Sequence, residues 1–163
     1  MNWPHAHLLI NHVPLFAVLA GLALFFTGAW RQGSELKTAG LWFWVIACIA
    51  AGVAFVTGDA AGDAVSKFPG ISTLAIGPHE EAAEPALIVS VALALLSAVL
   101  LLFRPRLGAA KIWIERGAWI LALAALLLMS RTANLGGRIR HPEIDMVPGA
   151  PGALTHLRPA DRA

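Results

Sequence analysis

The chain has 163 residues, 58% of them hydrophobic and 13% charged, with a formal net charge of +2. A soluble domain carries roughly 25% charged residues, so this composition excludes an ordinary soluble globule and fits a membrane protein of about four spans. The mean hydropathy is +0.70 and the pI is near 9.2, but the basic residues border apolar runs and form no stripe interleaved with aromatics, which excludes a nucleic-acid partner.

Four apolar runs lie at about residues 8–30, 40–57, 84–103 and 112–133. Each is close to the roughly 17–25 residues that a helix needs to cross hydrocarbon. They are rich in Ala and Leu and do not alternate polar with apolar residues, so helices are expected and a β-barrel is not. The first Lys or Arg is Arg31, and the run at 13–30 is longer than a signal-peptide core, so it reads as a retained span. The third run is opened by His79-Glu80-Glu81, and the fourth carries Glu115 and Arg116 in its first turns. Trp3, Trp30, Trp42, Trp44, Trp113 and Trp119 fall near run ends, where indoles settle at the headgroup level. Cys48, the single cysteine, reads as a small packing residue. The fold class is all-α: an integral membrane, antiparallel four-helix bundle over residues 1–148, with a Pro-, Gly- and Arg-rich tail at 149–163.

The connections set the topology. Residues 31–39 and 104–111 are short links, whereas 57–78 is long, punctuated by Gly58, Gly62, Gly70 and Gly77, with a short amphipathic or re-entrant segment expected at 60–68. The short links carry Arg31, Lys37, Arg104, Arg106, Lys111 and Arg116; the long one carries only Lys67. The positive-inside rule makes the short links cytoplasmic and puts both termini outside, as expected for a multi-pass protein of a bacterial inner membrane. Arg131, Arg138, Arg140, Arg158 and Arg162 lie on the terminal side against this trend.

All six histidines fall on the outer face: His5, His7, His12, His79, His141 and His156. Asp59, Asp63, Glu80, Glu81, Glu84, Arg131, Arg138, Arg140 and Glu143 join them. Ionisable residues at membrane depth are costly and point to function. His5 and His7 read as interfacial residues at a chain end. His12 either wets a helix entry or serves a site. Glu80 and Glu81 suit a helix N-terminus, which leaves His79 unexplained. Arg131 reads equally as a snorkelling anchor, His141 equally as a loop residue. An uneven internal echo sharpens the case. His12 is followed by Pro14 and an exit at Thr57-Gly58-Asp59; His79 is followed by Pro85 and an exit at Thr132-Ala133-Asn134. A parallel repeat would make His12 and His79 equivalent, facing each other across the helices.

Four motifs occur in order: His7-Leu8-Leu9-Ile10-Asn11-His12-Val13-Pro14; Thr57-Gly58-Asp59; His79-Glu80-Glu81-Ala82-Ala83; and Arg131-Thr132-Ala133-Asn134-Leu135-Gly136-Gly137-Arg138-Ile139-Arg140-His141-Pro142-Glu143-Ile144. Over about residues 5–145 the chain resembles small bacterial four-span membrane proteins similar to the domain of unknown function 2231 group. The resemblance implies a haem-b-type or electron-transfer membrane subunit, with no established reaction.

Three functional readings follow, and none names a catalytic residue. The first is an electron-transfer subunit with haem b near the outer face. His12 and His79 would be its ligands, with His141 as substitute, and Arg131, Arg138 and Arg140 would partner the propionates. Small residues such as Ala17, Gly21, Ala86 and Ser90 would make room for the ring. Its partners would be the lipid bilayer and other redox subunits or a periplasmic cytochrome. The second is a Zn, Cu or Fe site without porphyrin, in transport or catalysis, drawing on His12, His79, Glu80, Glu84, His141 and Glu143. The third is a structural or assembly subunit of a larger complex.

Overall fold

Asn2 opens the first helix, its side-chain oxygen accepting from the backbone N–H of His5 at 3.1 Å, with Pro4 in the first turn. The computed structural model describes residues 2–141, so the tail at 149–163 lies outside the described residues. Helix α1 covers Trp3–Ile10, α2 Val13–Trp30, α3 Ser34–Val65, α4 Thr73–Phe103 and α5 Ala110–Arg140, with a short 3-10 turn at Arg104–Arg106. Every described element is helical. Four segments, Trp3–Trp30, Ser34–Val65, Thr73–Arg106 and Ala110–Arg140, are long and apolar enough to cross a membrane.

The helix bounds correct the sequence reading in three places. The first run is interrupted at Asn11 and His12, because Pro14 has no N–H to offer Ile10 and its ring crowds that carbonyl. Helix α3 continues to Val65, so the expected loop segment at 60–68 is mostly the end of a span, and the connection to α4 is only residues 66–72. Helix α4 begins at Thr73, which puts His79, Glu80 and Glu81 inside it rather than at its mouth; Pro78 and Pro85 are accommodated within the helix.

The four long helices close a ring: α2 packs on α3 and α5, α4 packs on α3 and α5, and α1 lies against α3. Small residues let them approach. The buried face of α4 is Ala82, Ala86, Ser90, Leu93, Ser97 and Leu100, and that of α5 is Ala118, Ala122, Ala125 and Met129. The Ser90 and Ser97 hydroxyls donate to the carbonyls four residues back, at 2.6 and 2.8 Å, so neither is left unpaired. Between α2 and α3, Phe25 stacks on Trp44 with ring centroids 5.1 Å apart, and the Trp44 indole N–H donates to the Val18 carbonyl at 3.3 Å. Trp44 is fully buried and Trp119 packs edge-on against Phe25. Trp44 is therefore a core residue and Trp119 is partly buried against the core, rather than the interfacial residues expected, while Trp3, Trp30, Trp42 and Trp113 are exposed.

Large apolar side chains such as Phe16, Phe26, Ile49, Ile88, Leu95, Ile120 and Leu127 cover the outside. Patches of this extent are rare on water-soluble monomers.

Where α3, the 3-10 turn and α5 meet, Glu115 collects three cations: Lys37 at 3.3 Å, Arg104 at 3.4 Å and Lys111 at 3.9 Å. Removing the Glu115 carboxylate, which pairs with all three, leaves like charges facing one another. Glu115→Gln is expected to destabilise the fold by about 1–3 kcal/mol. The check is the denaturation midpoint in detergent, with the exposed Glu81→Gln as the neutral comparison.

Candidate functional site

At about 1.5 Å per residue, Thr57 lies about 30 Å from Lys37 along α3. The end of the fold around Thr57 holds a cavity of about 660 Å³, within the usual range for small-molecule and cofactor sites. Its wall is mostly apolar, with Leu8, Leu15, Phe55, Leu87 and Met129 among the lining residues, and four histidines, His7, His12, His79 and His141, also line it; two of them are held by carbonyls of the long helices.

Those imidazoles are His7 and His79. Nδ1 of His7 is 3.0 Å from the Ala54 carbonyl oxygen and 3.2 Å from Thr57 Oγ1, and Nδ1 of His79 is 2.9 Å from the Thr132 carbonyl oxygen. A carbonyl oxygen can only accept, so each Nδ1 is the donor, and in the neutral imidazole Nε2 then carries the lone pair. This is the tautomer of a ligating histidine whose other nitrogen is held by a carbonyl. The two rings lie 6.4 Å apart between centroids, with planes at 86°.

Each ring is set by a neighbouring threonine and glycine. The Thr57 hydroxyl donates back to the Val53 carbonyl at 2.9 Å, and the Thr132 hydroxyl reaches across to the Ala82 carbonyl on α4, also at 2.9 Å. A Cβ on Gly136 would stand 3.0 Å from His79 Cε1, and one on Gly58 would stand 3.5 Å from His7 Cε1. Gly136 is thus the floor under the His79 ring. Helix α5 runs through Gly136 and Gly137 to Arg140.

His12, His79, Glu80, Arg140 and His141 all line this cavity. His12 is exposed at the break between α1 and α2, where it forms no side-chain capping hydrogen bond. The structure thus places His7, read from sequence as interfacial, in the position opposite His79. Arg140 lies against the α3–α4 connection at Gly70, which is tied to α5 by a hydrogen bond from the Ser72 N–H to the Ile139 carbonyl, 2.9 Å. Arg131 is exposed outside the cavity lining, and Arg138 is half-buried, also outside it. Glu143 and His156 lie outside the described residues. Of the small residues expected to make room for a ring, only Ala86 lines the cavity; the space at Gly21 is taken by Trp44.

Among the described residues, no group of three or more His, Cys, Asp or Glu side chains is placed to hold a metal ion. The set of His12, His79, Glu80 and His141 therefore shares a cavity without converging on one point.

The separation between each site histidine and its threonine was a usable signal in the sequence. It is 50 residues for His7 and Thr57, and 53 for His79 and Thr132. Counting from His12 spoils that match. No family model matches the chain, and no curated protein or solved structure matches it, so a functional reading rests on the geometry of these residues.

Proposed function

We propose that the chain is a multi-pass protein of a bacterial cytoplasmic membrane, and that it is an electron-transfer subunit holding a b-type haem between His7 and His79. In this reading the four long helices form an antiparallel, up-down-up-down bundle with both termini outside. The apolar exterior supports bilayer contact. So does the charge distribution: the Glu115 cluster and the histidines lie at opposite ends of the long helices, separated by about one hydrocarbon thickness of 30 Å.

The observation that carries the haem reading is the histidine pair. Two imidazoles that bind one metal ion from opposite sides, each at about 2.0–2.1 Å, have ring centroids roughly 6 Å apart; His7 and His79 are 6.4 Å apart. Both have Nδ1 tied to a carbonyl and Nε2 available. A bare ion asks for a third protein ligand, whereas a porphyrin brings four nitrogens and asks only for two axial ones. This favours haem over the Zn, Cu or Fe reading. His7 replaces His12 as the first ligand because it is half-buried with its ring centroid 6.4 Å from that of His79, while His12 is exposed.

A bound haem would supply a one-electron iron centre. The chain's own residues do the rest. Thr57, Ala54 and Thr132 fix the tautomer and orientation of the imidazoles, the apolar wall excludes water, and Arg140 offers a guanidinium to a propionate. With His7 and His79 both holding it, such a group would suit electron transfer to a neighbouring redox subunit or a periplasmic cytochrome rather than oxygen chemistry. The motif resemblance points to the same class.

The test is spectroscopic. Protein purified in detergent after expression with ample haem, or reconstituted with hemin, is expected to show a Soret band at one haem per chain. Colourless protein that fails to take up hemin in titration would overturn the reading.

A further inference from the structure

At the other end of the fold lies a second cavity, of about 430 Å³, lined by Gln32, Gly33, Ser34, Lys37, Arg104 and Lys111 among others. Three of these are cations, and among the described residues the only carboxylate paired with them is Glu115, so three positive charges against one negative leave a formal excess of +2. The cavity also receives the start of α3, a 32-residue helix whose cap, Gly33, provides no side-chain hydrogen bond, so its first N–H groups point out of the helix toward this end. Gln32, at φ 52, is held in the left-handed region as the chain turns into the helix. Glu35, in the first turn of α3, is exposed and is not among the lining residues. Trp30 and Trp113 stand exposed at the same end, with the Arg116 guanidinium 5.0 Å from the Trp113 ring, an arrangement suited to the headgroup layer.

We propose that this cavity binds a phosphate group, presented by the headgroup of an anionic phospholipid of the inner leaflet. Arg104 gives the planar fork that phosphate oxygens accept, Lys37 and Lys111 add point charges, and the α3 N-terminus adds backbone donors. Basic pockets between spans on the cytoplasmic side suit anionic headgroups. The lipid source rests on the bilayer reading above; the phosphate chemistry does not, and neither depends on haem.

The full chain, delipidated in a neutral detergent, is titrated with short-chain phosphatidylglycerol, with short-chain phosphatidylcholine and with inorganic phosphate, and occupancy is read by native mass spectrometry. Phosphatidylglycerol is expected to bind at least about tenfold more tightly than phosphatidylcholine. Lys111→Gln is expected to weaken it about fivefold, since each basic residue contributes on that scale. Lys111 is the most exposed of the three cations, so this variant keeps the fold; Lys67→Gln, on the α3–α4 connection, is expected to bind as the parent does. Binding of inorganic phosphate with the same dependence on Lys111, and no preference for the lipid, supports the phosphate site and assigns it the soluble source. Equal binding of both lipids without Lys111-dependent binding of inorganic phosphate, no dependence on Lys111, or no binding of any probe overturns the proposal. A failure of the bilayer reading is distinguished separately: that chain would purify from the soluble fraction without detergent.

Discussion

Gly21→Leu is expected to separate α2 from α3 and to lower stability further than loss of the Glu115 carboxylate does. A Cβ at Gly21 would overlap the Trp44 indole and stand 2.9 Å from the Gly40 carbonyl oxygen. The opposing glycine is as tight, since a Cβ at Gly40 would meet the Gly21 carbonyl at 2.8 Å and Phe25 at 2.9 Å. Trp44 cannot move aside: it is fully buried, stacked on Phe25 and bonded to the Val18 carbonyl. Overpacking of a close-packed core typically costs about 1–3 kcal/mol, and here leucine adds four carbons where one already collides. Even Gly21→Ala is expected to lower the denaturation midpoint in detergent. Gly52 provides the comparison on α3, because a Cβ there meets nothing within 4 Å. Gly52→Leu is expected to leave the midpoint almost unchanged. Equal midpoints for the Gly21 and Gly52 variants would show that the α2–α3 contact is looser than described.

Gly136→Leu is expected to abolish haem binding while leaving the helices folded. The His79 ring lies so close to Gly136 that an added Cβ stands 3.0 Å from Cε1 and 3.1 Å from Nδ1. A leucine would push the ring off the Thr132 carbonyl, removing both its orientation and its tautomer preference. Loss of such a support typically costs about 10–100-fold in metal affinity, and displacement of the ligand itself costs more. Gly52→Leu tests the specificity of this effect, since a Cβ there has no neighbour within 4 Å and Gly52 is not among the residues lining the cavity. Gly58→Ala should be mild, because its Cβ would stand at an ordinary 3.5 Å from the His7 ring. Hemin titration of the three variants gives the comparison. An unchanged affinity in Gly136→Leu would mean that His79 does not hold the haem.

The four long helices were legible because hydropathy is sustained over whole spans, a property that no local detail overrides. Their ends were not, and the glycines explain why. Gly58, Gly62 and Gly136 look like loop punctuation in the sequence, yet all three lie inside helices. Each sits where another side chain approaches the backbone: His7 at Gly58, Glu80 at Gly62 and His79 at Gly136. Hydropathy cannot tell a glycine that turns a chain from one that admits a neighbour. The same ambiguity hid Trp44, which resembled an interfacial anchor and fills the core instead. The histidine face was legible as a cluster, and His79 was picked out within it. His7 does not stand out, because it lies near the chain end, where polar residues are commonplace. What gives it a place in the site is the break at Asn11 and His12, which lets α1 lie against α3 and brings His7 to Ala54 and Thr57.

The most direct measurement of the central claim is the absorption spectrum of hemin-reconstituted His7→Ala, His79→Ala and His12→Ala proteins beside the parent. The parent is expected to show the spectrum of a low-spin, six-coordinate haem. His7→Ala and His79→Ala should each lose it, by failing to retain haem or by converting it to a high-spin form, with helical circular dichroism unchanged. His12→Ala should keep the parent spectrum. A parent spectrum retained in both His7→Ala and His79→Ala would contradict ligation by this pair, and its loss only in His12→Ala would move the site to the break between α1 and α2.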